Sequence, residues 1–177
     1  KVWVPFGYLE EYEKREIPVD RKFALGVPEL DIEDWLSIFE LNMISQVSIL
    51  IQKVIFDLKN SGNFDIQDII EEIQKNKESD EKNKKSAVAL FQAAESWKVF
   101  AEKNQESTKV KELINAGITN ILDLSMYSSI SVFNVRALII GLISKKLFVQ
   151  RMFSRKKEEI ESIPHGIDSS HEEEKES

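Results

Sequence analysis

The sequence predicts a helix-rich α/β fold, in which a helical subdomain is joined to an incomplete sheet-and-helix piece. Apolar residues recur at helical spacing through much of residues 30–109. Short strand-like runs flank that block, at residues 1–8 and 22–27 before it and 118–124 after it. A long apolar helix follows the last run. A strand, a loop and a buried helix form the repeating unit of α/β proteins. Only about three strands are predicted, which is too few for a self-sufficient doubly wound sheet.

The predicted organisation has four parts. A strand-containing opening segment covers 1–29, a helical subdomain covers 30–109, a strand and long helix cover 110–163, and an acidic tail covers 164–177. From residue 168 the tail has no apolar residue, so we expect it to be disordered. The chain starts without Met, directly in the strand-like Val2-Trp3-Val4, which predicts a segment excised from a longer protein.

The opening segment is expected to contain two strands. The first enters a turn at Pro5 and Gly7, and the charged residues 9–20 are predicted to be surface loop. The alternating run 22–27 is the second strand, and Pro28 stops it because proline has no N–H for the ladder.

Helix start and stop signals divide the helical subdomain. Asp31 is a good N-cap for a helix over 32–41, either Asn42 or Ser45 caps the next helix, and Gly62 ends it. Asp65 opens a third helix. The charged stretch 76–85 is a linker or an exposed first turn, and a fourth helix is expected over 86–103.

The last part begins with a predicted buried strand over 118–124. A polar loop over 125–131 leads to the long helix, from about 132 to about 160, which Pro164-His165-Gly166 ends. The first half of that helix is apolar on most sides, so we expect a sheet and neighbouring helices to cover both of its faces.

The composition argues against several classes of protein and of binding site. A net charge of −7 argues against a uniformly basic nucleic-acid coat. The chain has no cysteine, so it has no disulfide framework and no thiolate metal site, which is compatible with a cytosolic origin. No apolar run reaches the roughly 18–20 residues that a membrane span needs, so no membrane partner is expected.

A basic run lies on the long helix, and no carboxylate falls between Asp123 and Glu158. One interpretation is an edge that contacts DNA or phosphate. The other, slightly favoured, is that cations suit the C-terminal half of a helix and that the acidic tail neutralises them. The candidate contacts are Arg136, Lys145, Lys146, Arg151, Arg155 and Lys156, and Lys157 continues the run.

Two charged residues stand apart from this run, one at the end of the predicted strand and one at the start of the helix. Asp123 superficially resembles an Mg²⁺ ligand at a strand end, but Leu124 stands where a second carboxylate is usual, so a cap of the following turn is favoured. Arg136 lies just inside a buried helix start, where an unpaired charge is costly. It is expected to pair with Asp123 or to reach a phosphate on a neighbouring subunit.

No catalytic or metal site is predicted. The chain has no phosphate-binding loop. His165 and His171 both lie in the tail, which offers no scaffold for ordered metal ligands or for a catalytic triad. We therefore expect the isolated chain to have no catalytic residues and no bound cofactor, and to be inactive.

Three runs in the last third resemble archaeal HerA-type ATPases of the HerA/FtsK group: Gly117-Ile118-Thr119-Asn120-Ile121-Leu122-Asp123-Leu124-Ser125, Asn134-Val135-Arg136-Ala137-Leu138-Ile139 and Ile143-Ser144-Lys145-Lys146-Leu147-Phe148. In that group a strand ending Asp-Leu-Ser precedes a Val-Arg helix that ends in a basic-Leu-Phe segment. The charged run from Arg155 looks like the insert that follows. Two further runs are similar to the stretch downstream of that group's phosphate loop. They are the opening Val2-Trp3-Val4-Pro5-Phe6-Gly7 and the later run Glu29-Leu30-Asp31-Ile32-Glu33-Asp34-Trp35-Leu36.

The resemblance implies a cytoplasmic, RecA-like motor, usually a hexameric ring, that hydrolyses ATP with Mg²⁺ to move double-stranded DNA. Members of the group act as helicases or translocases in DNA repair with a nuclease partner. This chain has neither the phosphate loop nor the Asp-Glu strand, so ATP and Mg²⁺ belong to the parent protein. The chain then supplies subunit-packing elements and is a candidate for DNA contact, and its partner is the remainder of its own ATPase domain.

The alternative is a self-contained helical protein-interaction domain with no link to a nucleotide. An enzyme of another type ranks last, because no catalytic constellation is present.

Overall fold

A computed structural model describes residues 1–114, 117–129 and 135–161. Its strands are β1 (Val2–Pro5), β2 (Arg21–Phe23) and β3 (Ile121–Leu122). Its helices are α1 (Leu9–Lys14), α2 (Ile32–Ile38), α3 (Gln46–Ser61), α4 (Ile66–Lys75), α5 (Glu81–Glu95), α6 (Val110–Leu113) and α7 (Val135–Glu161). Short 3₁₀ turns lie at Phe6–Tyr8, Val27–Glu29 and Ser125–Ser129.

The three strands form one parallel sheet in the order β2-β1-β3. Val4 of β1 lies opposite Lys22, and Trp3 lies opposite Leu122. The β1–β3 ladder is short because its next bond needs an N–H at Pro5, which proline lacks. The structure thus confirms a helix-rich α/β fold with a small, incomplete sheet.

The helical block α2–α5 follows the predicted signals. Asp31 caps α2 in a reciprocal arrangement with Asp34, and Ser45, one of the two predicted caps, accepts the Ser48 N–H at the start of α3. Gly62, at φ 119°, ends α3, because a residue without Cβ adopts that conformation freely. Asp65 caps α4 as predicted.

The fourth predicted helix is displaced towards the N-terminus. Asp80 caps α5, so charged residues from Glu81 onward form an exposed first turn, and the helix ends at Glu95 rather than near 103. The chain then extends, with the Leu25 N–H donating to Val99 O (2.8 Å) and the Ala101 N–H donating to Leu25 O (2.7 Å). The apolar residues after Glu95 are therefore buried through an extended segment, not through a helix face.

Two further expectations were wrong. Residues 9–14 form helix α1 rather than loop, because Tyr12 is buried against the body and anchors that turn. The strand predicted over 118–124 is paired only at Ile121–Leu122, and it is not buried. Ile121 is 56% exposed, since β3 is an edge strand among the described residues.

Helix α7 has two distinct halves. Val135, Ile139 and Leu142 of its first half are buried, whereas every residue from 148 to 161 is exposed. At about 1.5 Å per residue, that exposed part is about 20 Å long. The predicted helix start near 132, its stop at 164–166 and the predicted tail disorder lie outside the described residues.

One contiguous core joins the described elements. It runs from Trp3 in β1 through the aromatic cluster of the helical block to Leu142 in α7. Trp35 lies 5.1 Å from Phe91 and 5.7 Å from Phe39 between ring centroids, which places aromatic contacts at the centre of the block. The four-part division of the chain remains a prediction.

Candidate interaction surface on the last helix

Lys145 links α7 to the start of α2 through ion pairs. Its ammonium donates to Asp31 Oδ2 at 3.0 Å and to Asp34 Oδ1 at 3.2 Å, and Lys59 reaches Asp31 Oδ1 at 3.0 Å. The hydrogen bond from Lys145, followed by that from Lys59, lowers the pKa of the Asp31 carboxyl. The same bond raises the pKa of Lys145. The predicted cap Asp31 and its capping-box partner Asp34 thus also hold a predicted phosphate contact.

Lys146 is also committed to the body. It forms an ion pair with Glu29, which lies in the 3₁₀ turn before α2, and its side chain is largely covered. Burial lowers the pKa of the Lys146 ammonium, while the neighbouring carboxylate favours its charged form. Lys145 and Lys146 therefore position the helix, which leaves them poorly available to an external phosphate.

The remaining candidate cations lie at the surface. Arg151 reaches Glu158 Oε1 at 3.4 Å, and both side chains are well exposed, so this pair holds the arginine only weakly. Arg155 and Lys156 are exposed and have no ion pair with any residue that the structure describes. They are free to meet an anionic partner.

Arg136 does not occupy the environment that was predicted for it. Its side chain is exposed, so no buried charge has to be neutralised, and it forms no ion pair with Asp123 within the described ranges. Asp123 instead accepts the Ser125 N–H at 2.9 Å, which confirms its predicted role as a cap of the turn. Burial acts to raise the pKa of Asp123, but hydrogen bonds from Ser125 and Tyr12 outweigh it and lower that pKa.

Exposed apolar side chains cover much of the second half of α7. Phe148 is 66% exposed, Met152 51% and Phe153 69%, and Val149 and Ile160 are also exposed. At about 100° per residue these five side chains fall within an arc of about 140°. Val149, Phe153 and Ile160 continue the face that buries Ile139 and Leu142 nearer the start of the helix.

Two open grooves flank the first half of α7. One, of about 310 Å³, lies between α2 and α7 and is lined by Asp34, Trp97, Leu138 and Gly141 among others. The other, of about 280 Å³, lies between α7 and the β3 edge, with Trp3, Leu122 and Ile140 in its walls. The expected cover on both faces of α7 is therefore incomplete within the described chain.

The aromatic and aliphatic surface of the second half was not predicted as a site. The signal that reveals it is the continuation of the apolar face from 142 to 149, 153 and 160, beyond the point where the predicted elements offer a partner. The prediction for this half of the helix concerned its cations and made no assignment for its apolar residues.

No group of His, Asp or Glu that could hold a metal ion occurs in 1–114, 117–129 or 135–161. His165 and His171 lie outside those ranges. Within the same ranges, no helix has the length and hydropathy to cross a bilayer.

Comparison with known proteins provides no relative. No protein family, no curated protein and no solved structure matches the chain.

Proposed function

We propose that the chain is a segment of a HerA-like, DNA-translocating ATPase that supplies packing surface to the motor and takes no part in nucleotide chemistry. The observation that carries the proposal is the β3–α7 unit. A parallel strand at a sheet edge is followed by a long helix whose apolar surface is only partly covered. Parallel sheets occur almost only where both faces are covered by other elements, so the unit suits a larger α/β assembly.

The proposal assigns the rest of the machinery to the parent protein. ATP and Mg²⁺ would be held outside this chain, and the parent would be a cytoplasmic, ring-forming homo-oligomer that acts on double-stranded DNA with a nuclease partner. The chain contributes packing through α7. Its DNA contacts, where they exist, would come from the exposed Arg136, Arg151, Arg155 and Lys156, because Lys145 and Lys146 are engaged by the body.

The complete reading frame tests the assignment. It is expected to encode a phosphate-binding loop before residue 1 and an Asp-Glu strand after residue 177. The full-length protein should hydrolyse ATP, and this chain alone should not. A full-length protein without a phosphate loop, or hydrolysis by the isolated chain, would contradict the proposal.

DNA contact has its own test. Salt-dependent binding of a DNA duplex should weaken when Arg151, Arg155 and Lys156 are replaced by Gln, and the salt slope should fall by up to about 3 because that many phosphate contacts are lost. A matched control replaces Lys77, Lys82 and Lys85, exposed cations on and before α5, by Gln. Equal loss in both triple variants would show that only net charge matters and that α7 is not a DNA contact.

The second candidate is a self-contained protein-interaction domain. The continuous core through α2–α5 favours it, because that block buries its own apolar stripes without help from a larger sheet. The reading frame separates the two candidates, since an interaction domain requires neither nucleotide motif.

A further inference from the structure

The cations of α7 fall into two groups that differ in what faces them. Residues 145–157 carry six cations and no carboxylate. The four cations from Arg151 onward are exposed, whereas Lys145 and Lys146 face carboxylates at the start of α2. We call those three carboxylates the acidic edge, and they are Glu29, Asp31 and Asp34. Two of the six cations are therefore neutralised by the body of the same chain.

The acidic edge holds the two lysines in the way that an anionic ligand would. The Lys145 ammonium donates to Asp31 Oδ2 at 3.0 Å and to both carboxylate oxygens of Asp34 at 3.2 Å. Lys146 pairs with Glu29. Carboxylate and phosphate oxygens are both strong, charged acceptors for an ammonium group. The acidic edge and a phosphate backbone would thus compete for the same N–H donors.

The packing of α7 does not depend on these ion pairs. The buried residues of α7 end at Leu142, before either lysine. Open grooves of about 310 and 460 Å³ lie on the two sides of Lys145, and its side chain is 50% exposed. Exposed ion pairs of this kind are weak. An external anion can therefore replace the acidic edge while the apolar contacts of the first half of α7 stay in place.

Release of the two lysines would lengthen the cationic stretch of α7. Lys145 lies within about 20° of Lys156 around the helix, and Lys146 has the same relation to Lys157. The four exposed cations span only about 9 Å along the axis, whereas all six span about 18 Å. A stretch of that length suits a ligand with a row of phosphates rather than a single phosphate group. Duplex DNA is such a ligand.

We propose that the acidic edge masks Lys145 and Lys146 from DNA, and that the phosphate backbone displaces it on binding. The exposed cations make the first contact, and the two lysines join when their carboxylate partners are displaced. The chain without DNA is therefore self-inhibited in its binding of polyanions. The inference rests on the DNA contact in the proposed function and adds the control of that contact.

Titration of duplex DNA with the complete 177-residue chain tests the mask. The unmasked variant is Glu29→Gln/Asp31→Asn/Asp34→Asn, in which each new amide keeps an oxygen acceptor for its local hydrogen bonds. Its affinity should exceed that of the wild type at least about fivefold. Its salt slope should rise by about 2, because two further cations contact phosphate. Circular dichroism should show an unchanged helix content.

A matched control removes the same number of charges elsewhere. Glu33→Gln/Glu40→Gln/Asp57→Asn changes exposed carboxylates on or next to α2 and α3, and these form no ion pair with a cation in the described ranges. Its affinity should rise less than about twofold. Glu29→Gln alone leaves the cap of α2 untouched and should give part of the gain, so the test does not depend on the folding of the triple variant.

Replacing Lys145 and Lys146 by Gln in the unmasked variant gives the decisive result. The gain in affinity should disappear, because the two lysines are the groups that the acidic edge masks. An unmasked variant that binds no more tightly than the matched control would overturn the inference. So would a gain that survives replacement of the lysines, or a failure of every variant to bind DNA. A reading frame with the phosphate loop, together with any of these results, would end this inference and leave the motor assignment standing.

Discussion

The two halves of α7 should lose very different amounts of stability when an apolar side chain is removed. Ile139 is 0% exposed and anchors the first half to the core, whereas Phe153 is 69% exposed on the second half. Ile139→Ala removes buried methyl groups and leaves a cavity, which costs about 2–5 kcal/mol. Phe153→Ala removes a side chain of which under a third is covered. Since full burial of Phe is worth about 1.5–3 kcal/mol, its loss should cost less than about 1 kcal/mol.

Urea unfolding followed by circular dichroism measures both effects. With a slope of about 2 kcal/mol/M, Ile139→Ala should lower the midpoint by about 1–2.5 M and Phe153→Ala by less than about 0.5 M. The experiment is done at low protein concentration, so that self-association does not contribute. A midpoint for Phe153→Ala as low as that for Ile139→Ala would show that the second half of α7 is packed in the monomer and would refute the reasoning.

Three further predictions concern the body. Gly7→Ala should destabilise the fold by more than about 1 kcal/mol in urea unfolding, because the new Cβ would overlap Lys98 Cβ, and Lys98 already holds a strained φ of 53°; an unchanged midpoint would contradict that close approach. Asp31→Asn keeps the cap but removes the charge, so it should cost up to about 1 kcal/mol at neutral pH. Because folding lowers the Asp31 pKa, the stability that its charge provides is present above the unfolded pKa of about 3.9 and is lost as pH falls through the folded pKa. The urea midpoints of the wild type and of Asp31→Asn should therefore converge in acid. A difference that stays constant with pH would be evidence against the Lys145 contact. Tyr127→Phe removes a buried 2.8 Å hydrogen bond to Trp97 O and should lower the stability measured by urea unfolding by about 0.5–1.5 kcal/mol. An unchanged midpoint would contradict a contribution of that bond.

The helical block was predictable because local signals and tertiary contacts agree there. Asp31, Ser45 and Asp65 cap their helices and Gly62 ends one, as the side-chain chemistry of each requires. The stripe on α4 is buried where periodicity placed it. In these elements a short stretch of sequence contains all the information that the structure uses.

The misplaced elements depend on partners that are distant in the sequence. Val99 has the spacing of a helix face, but Leu25 offers it a main-chain partner, so the segment extends instead. The length of β3 is limited by Pro5, more than a hundred residues away. A periodicity argument has no access to either contact.

The sequence predicts which residues of the candidate site are charged, but it does not predict which residues pair with them. The cations of α7 are evident in the sequence, yet only coordinates show that Lys145 and Lys146 are held by Asp31, Asp34 and Glu29. The apolar residues in the second half of α7 are of the types that usually form a core, and their exposure depends on where the rest of the fold ends. Local sequence does not record that position.

Hydrogen–deuterium exchange along α7, measured in dilute protein, tests most directly whether the second half of the helix is uncovered. Residues 135–142 should be protected from exchange, while residues 148–161 should exchange rapidly. Strong protection of residues 148–161 in dilute protein, equal to that of residues 135–142, would contradict the account.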